Sequence, residues 1–195
     1  MDTTKATRPL DRLHRSRDET VAVHEAGHAI IALLHGIGVE YAMLKECGAG
    51  LTQPVLSDRT APYRHEVECE IWWTMAGRSA QSRNRSRYDN SGALADLAII
   101  EQWWQKLEQT SWSFGTFWSF VGRRNKVVDG LVDWAWPAIE ELARRLLDER
   151  TVRFGDPLKE CSRILPLIGG APDWLSTACS ELQWGTSGGP ATGLS

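Results

Sequence analysis

Cysteine pairs, long apolar runs and clustered charge of one sign are all scarce in this 195-residue sequence. The four cysteines, Cys47, Cys69, Cys161 and Cys179, stand far apart without a CxxC pair. That spacing excludes a dense disulfide framework and makes reduced core thiols the expectation. No segment approaches the roughly 20 apolar residues of a membrane-spanning helix. The N-terminus carries Arg and Asp where a secretory signal needs an apolar run, so a cytoplasmic protein without a membrane span is expected. Acidic and basic residues alternate around a net charge of −3, which gives nucleic acid no electrostatic footprint. There is no GxxxxGK[ST] phosphate loop. Phe and Tyr are also few, four and three against ten Trp. Trp72, Trp103 and Trp134 fall on apolar helical faces and read as bulk for a core or an interface, ahead of a binding surface.

What the chain does have is VAVHEAGHAIIALLHG, Val21 to Gly36, an amphipathic helical pattern with HExxH at its centre. His24 and His28 are one helical turn apart, so both can aim a ring nitrogen at one metal. Zinc suits that pair, with nitrogen ligands at about 2.0–2.1 Å and one corner of the tetrahedron left for water. Glu25 lies beside that corner as a candidate general base. Chance matches to HExxH occur, but Ala26 and Gly27 are small, Thr20 can cap the helix, and Val21, Ala22, Ala29, Ile30, Leu33 and Leu34 supply a buried stripe. His35 and Gly36 provide the cation and the left-handed residue of a helix end.

The length suits one domain. Residues 1–19 read as a flexible polar arm, 20–168 as the folded domain and 169–195 as a Gly/Ser/Pro-rich tail. Val39 to Lys45 and Gly50 to Leu56 flank a glycine turn and predict a hairpin, with Pro54 confining its strand to an edge. A second helix is expected from Pro62 to about Arg83, burying Tyr63, Val67, Ile71 and Met75, followed by an Arg-rich polar loop. A third starts near Ser91 and turns Leu94, Leu97, Ile100, Trp104 and Leu107 inward. Residues 109–125 carry no clear pattern. From Lys126 to Arg150 a helix returns, in which Pro137 predicts a kink or two abutting helices, and a last short helix starts at Asp156-Pro157.

Two histidines hold zinc poorly, so the third ligand decides the class. Ile31 and Leu34 stand where a metzincin needs Gly and His. His35 lies about 10 Å further along the helix axis than His28, too far to share an ion. Glu66 and Glu70 on the second helix are candidates, and so is Asp96, whose place among apolar residues calls for a metal, a hydrogen-bonding partner or a helix-start charge.

Several stretches in order resemble the zinc peptidase domain of FtsH-type membrane AAA proteases. TVAVHEAGHAIIA is similar to that family's zinc helix, and AGLT at 49–52 to the strand segment after it. MAGRSAQ at 75–81 resembles AGRxAE, with Gln81 in place of Glu and away from the expected chemistry. GALADLA at 92–98 resembles the segment whose Asp is the third zinc ligand, and WPAIEELARRLLDERTV a helix near the domain end. The likeness covers roughly residues 19–160. It implies a mainly α, helical metallopeptidase domain with a small β-hairpin beside the zinc helix. It further implies Zn²⁺ held by His24, His28 and Asp96, with Glu25 as the base. The expected activity is that of a stand-alone zinc endopeptidase on unfolded polypeptides or peptides, without an ATPase of its own. Two alternatives stay open: a zinc-stabilised adaptor that binds a partner through Trp-rich surface, and a protease subunit served by a separate ATPase or a homo-oligomer.

Overall fold

The computed structural model describes residues 9–55, 64–84, 91–108 and 115–169. Among them the order is α1 (Pro9–Leu34), β1 (Val39–Leu44), β2 (Gly50–Pro54), α2 (Arg64–Arg83), α3 (Ser91–Glu108), α4 (Phe117–Glu149), β3 (Thr151–Arg153) and α5 (Pro157–Ile168). The fold is mainly helical, with a small antiparallel sheet in the order β2-β1-β3.

The organising element is α1, against which α2, α4, α5 and the sheet all pack. The sequence suggests an amphipathic helix, yet every residue from Ala22 to Leu33 is buried. A helical stretch buried on all sides belongs inside a core, and the C-terminal half of α1 is such a stretch. Small residues make the enclosure close. A Cβ at Gly27 would lie 2.8 Å from both the Ala76 carbonyl oxygen and the Ala80 Cβ, so glycine there sets how near α2 can come. The helix begins at Pro9, so Thr20 is a buried interior residue and does not cap it. Much of the expected polar arm is therefore helical, and Asp18 anchors it through an ion pair with Arg150 at 2.6 Å.

β1 is the middle strand, pairing Ala42 with Thr52 of β2 and with Val152 of β3. The hairpin and its Pro54 edge strand match the sequence pattern, whereas β3 does not show in it. The helix predicted to Arg150 ends one residue earlier, where Arg150 takes a left-handed conformation (φ 61°) and its carbonyl accepts from Leu44 N at 2.8 Å. That turn sends only three residues back along β1, too few for an alternation to be visible.

α4 starts at Phe117, capped by Thr116, inside the segment that lacked a pattern. It runs unbroken through Pro137 and is not two abutting helices. Pro137 is exposed, so the carbonyl it deprives of a partner can bond water. A buried ion pair joins α4 to α2: Arg124 Nε donates to Glu68 Oε2 at 2.7 Å and Nη2 to Oε1. Its guanidinium also lies 3.6 Å from the centre of the Phe120 ring. The two-pronged geometry offsets the cost of desolvating both charges.

In α3, Ile100 and Leu107 are buried as expected, but Leu94 is 64% exposed. Cys47 is exposed and Cys69 and Cys161 are half-buried, so core placement fails for these three. Residues 1–8, Tyr63, residues 85–90 of the Arg-rich loop, Cys179 and residues 170–195 of the expected tail lie outside the described residues. No helix among the described residues is long and apolar enough to cross a membrane.

At the end of α1, His35 is not the helix-end cation its position suggests. Its ring packs on Trp72 with centroids 5.1 Å apart, and its buried Nε2 has no hydrogen-bond partner among the described residues. Burial lowers its pKa from 6.5 to about 4. Between those values the unfolded chain binds the extra proton, so stability falls as the pH drops through that window. Urea unfolding at pH 5 should show about 2 kcal/mol less stability from this group than at pH 7.5. His35→Leu removes that part of the pH dependence, and equal pH slopes for parent and variant would contradict the assignment.

Candidate metal centre

His24 and His28 project from adjacent turns of α1 with ring centroids 4.6 Å apart. α3 brings Asp96 to them. Asp96 Oδ2 lies 3.2 Å from His24 Nε2 and 3.4 Å from His28 Nε2, and the two Nε2 atoms are 3.0 Å apart. Both histidines are buried and Asp96 is largely so.

The outer ring nitrogens decide what those three atoms are. His28 Nδ1 lies 2.8 Å from the Trp73 carbonyl oxygen, and His24 Nδ1 lies 3.2 Å from Gln81 Oε1. Both partner atoms accept, so each Nδ1 carries a proton and each ring turns Nε2 inward. With both rings in that form two lone pairs and a carboxylate oxygen converge on one position, which a cation fills or, in its absence, a proton on His28. Asp96 Oδ2 is accordingly a buried atom without a hydrogen-bond donor. Such a cluster repels itself unless a cation or a proton stands at its centre.

Metal-ligand geometry fits the cluster. Four ligands at about 2.0–2.1 Å in a tetrahedron are about 3.3 Å from one another, and the three separations here run from 3.0 to 3.4 Å. Electrostatics point the same way. Burial disfavours a charged His28, but the Asp96 carboxylate, with help from Glu25 and the Trp73 carbonyl, outweighs it and raises the pKa to about 9. Burial likewise opposes charge on Asp96, and His28 and His24 overcome it to hold that carboxyl at about 2. The site favours positive charge in its middle.

Glu25 is buried beside the histidines. The Thr52 hydroxyl on β2 lies 2.8 Å from Glu25 Oε2 and 3.0 Å from its backbone carbonyl, close enough to donate to either. Two glycines make room for these groups. A Cβ at Gly50 would run into the Glu25 carboxylate, and one at Gly77 into the His28 ring. The AGLT and MAGRSAQ stretches thus contribute space and second partners to the α1 residues.

Of the sequence candidates, His24, His28 and Asp96 meet and Glu25 stands next to them. Asp96 lies beyond the first turn of α3 with its carboxylate on the histidines, so a helix-start charge does not account for it. Glu70 does not join: its Oε2 accepts from Trp73 Nε1 at 2.7 Å, and burial raises its pKa. The Glu66 side chain lies outside the described residues. Gln81, expected to stand away from the site, lies against it through the His24 ring. Its signal was present, since an amide four residues after the glycine of a helical motif faces the same way as that glycine. Comparison with known proteins finds no family model that matches the chain and no matching curated protein.

Proposed function

We propose that this protein is a zinc endopeptidase of the FtsH protease-domain type, cutting unfolded polypeptides or peptides. The observation that carries this reading is the convergence of two imidazole lone pairs and a carboxylate oxygen beside a second, unshared carboxylate, Glu25. His24, His28 and Asp96 would hold the ion; a site of two imidazoles, one carboxylate and an open position suits zinc. When bound, zinc supplies Lewis acidity that polarises a carbonyl and brings the pKa of water toward about 7.

The chain's own groups do the rest. Thr52 holds Glu25 Oε2, and the missing side chain at Gly50 lets the carboxylate lie against β2. The Glu25 carboxylate takes the proton of the attacking water and hands it to the leaving amine. Trp73 O and Gln81 fix the two rings so that only their Nε2 atoms face inward. β2 pairs with β1 on one side and has Thr52 pointing at Glu25, so an extended substrate adding to its other edge passes the base. Backbone pairing of that kind reads little side-chain identity and demands an unstructured chain. Because this sequence has no phosphate loop, it does not itself supply ATP-driven unfolding.

Incubation with casein in the presence of zinc should yield fragments, with cleavage stopped by a chelator and restored by added zinc. A tightly folded protein should stay intact. Casein left whole at every metal concentration would overturn the reading.

A further inference from the structure

Glu70 does not reach the ligand cluster, yet it is tied to one of the ligands. Its Oε2 accepts from the indole Nε1 of Trp73, three residues further along α2, at 2.7 Å. Trp73 in turn meets His28 twice. Its backbone carbonyl oxygen lies 2.8 Å from Nδ1, and its ring stands against the imidazole with centroids 5.6 Å apart and planes at 77°. The geometry points to Glu70 and Trp73 as positioning residues of the metal centre: the carboxylate locks the indole, and the indole locks the His28 ring in the plane that aims Nε2 at the ion. The inference rests on the metal-binding part of the proposed function and does not depend on hydrolysis.

The two contacts of Trp73 do different things. A hydrogen bond at Nδ1 decides which nitrogen faces inward but leaves the imidazole able to tilt about that bond. An aromatic ring packed edge against face removes the tilt, provided the indole is itself held. Glu70 supplies that hold, and a carboxylate acceptor makes the bond stronger than a neutral one. Comparison among the indoles favours a purpose. Trp72 and Trp104 have a buried Nε1 with no hydrogen-bond partner among the described residues, and neither ring is in contact with a metal-centre histidine there. Of the three, the indole given a carboxylate is the one that leans on a ligand. The arrangement also works against the carboxylate, because burial raises the Glu70 pKa and the indole bond only partly opposes it. Gly77, one turn beyond Trp73, completes the line on α2, since a Cβ there would strike the same His28 ring.

The test measures zinc affinity by chelator competition for the parent, Glu70→Leu, Glu70→Gln, Trp73→Phe, and Glu70→Leu combined with Trp73→Phe. Cobalt is then bound in place of zinc, because its visible bands move with ligand geometry. Glu70→Leu keeps the bulk without an acceptor. It should bind zinc about three- to tenfold more weakly, below the roughly 10- to 100-fold range of partners that bond a ligand directly, and it should shift the cobalt bands. Glu70→Gln keeps an oxygen that can accept from the indole and should restore both. Trp73→Phe keeps the backbone carbonyl and an aromatic ring but has no N–H, so adding Glu70→Leu to it should change nothing further. Parent affinity and parent spectrum in Glu70→Leu overturn the inference and leave the metal centre standing. An equal loss from Leu and Gln makes the effect one of charge and overturns it too, as does an additive loss in the combined variant. A parent that binds neither metal overturns the metal centre itself, and the inference falls with it.

Discussion

Glu25→Gln should retain one zinc per chain and lose about 10²- to 10⁴-fold in peptide hydrolysis, the range that a positioned general base contributes. The substitution keeps the shape of the side chain, and a glutamine carbonyl oxygen can still accept the Thr52 hydroxyl that now lies 2.8 Å from Glu25 Oε2. The three ligand atoms belong to other residues, so metal content stays. What disappears is a basic oxygen of the carboxylate that lies against Gly50. Burial makes the contrast sharp, because Glu25 is only 6% exposed and bulk water does not readily replace it as proton acceptor. Metal analysis and initial rates on a quenched-fluorescence peptide should be measured on the same preparation. Full metal with turnover at the parent rate would remove Glu25 from the chemistry, whereas loss of metal would make it a structural support of the site.

Different parts of this arrangement differ in how visible they are in the sequence, for physical reasons. His24 and His28 are legible because a helix repeats every 3.6 residues and a four-residue step is one turn. Asp96 reaches them from α3, and no periodicity within one helix encodes a contact of that range. It is conspicuous only as a carboxylate in an apolar stretch, and the resemblance to a peptidase segment is what singles it out. The supports are harder still to read. Gly77 and Gly27 matter because of what a Cβ would strike on α1 and α2, which depends on how closely those helices approach. The Trp73 contribution comes from a backbone carbonyl, so its side chain carries no hint of it. Arg124 and Glu68 look like ordinary surface charges until α4 lies on α2 and buries them together. His35 looks like a helix-end cation until Trp72 covers it. In each case burial by a partner distant in sequence overrides the local pattern.

Metal affinity should fall in a graded way when the shell is cut back, and the order is the informative part. Asp96→Ala removes one of the three proposed ligands and the negative charge that would offset the ion. What remains is two imidazoles, so the expected loss exceeds the roughly 10- to 100-fold range of outer-shell changes. Gln81→Ala should fall within that range. It leaves all three ligand atoms but frees the His24 ring, whose Nδ1 is now held 3.2 Å from the amide oxygen. His28 keeps its backbone partner, Trp73 O at 2.8 Å, in both variants, so one ring remains aimed inward as an internal reference. Competition against a chromogenic zinc chelator measures both losses on one scale, and thermal melts of the metal-free proteins separate a change in affinity from a change in folding. Asp96→Ala binding zinc as tightly as the parent would return that carboxylate to the role of a hydrogen-bond acceptor for a protonated histidine. An equal loss from both variants would mean that ring orientation, and not ligation by the carboxylate, governs how the ion is held.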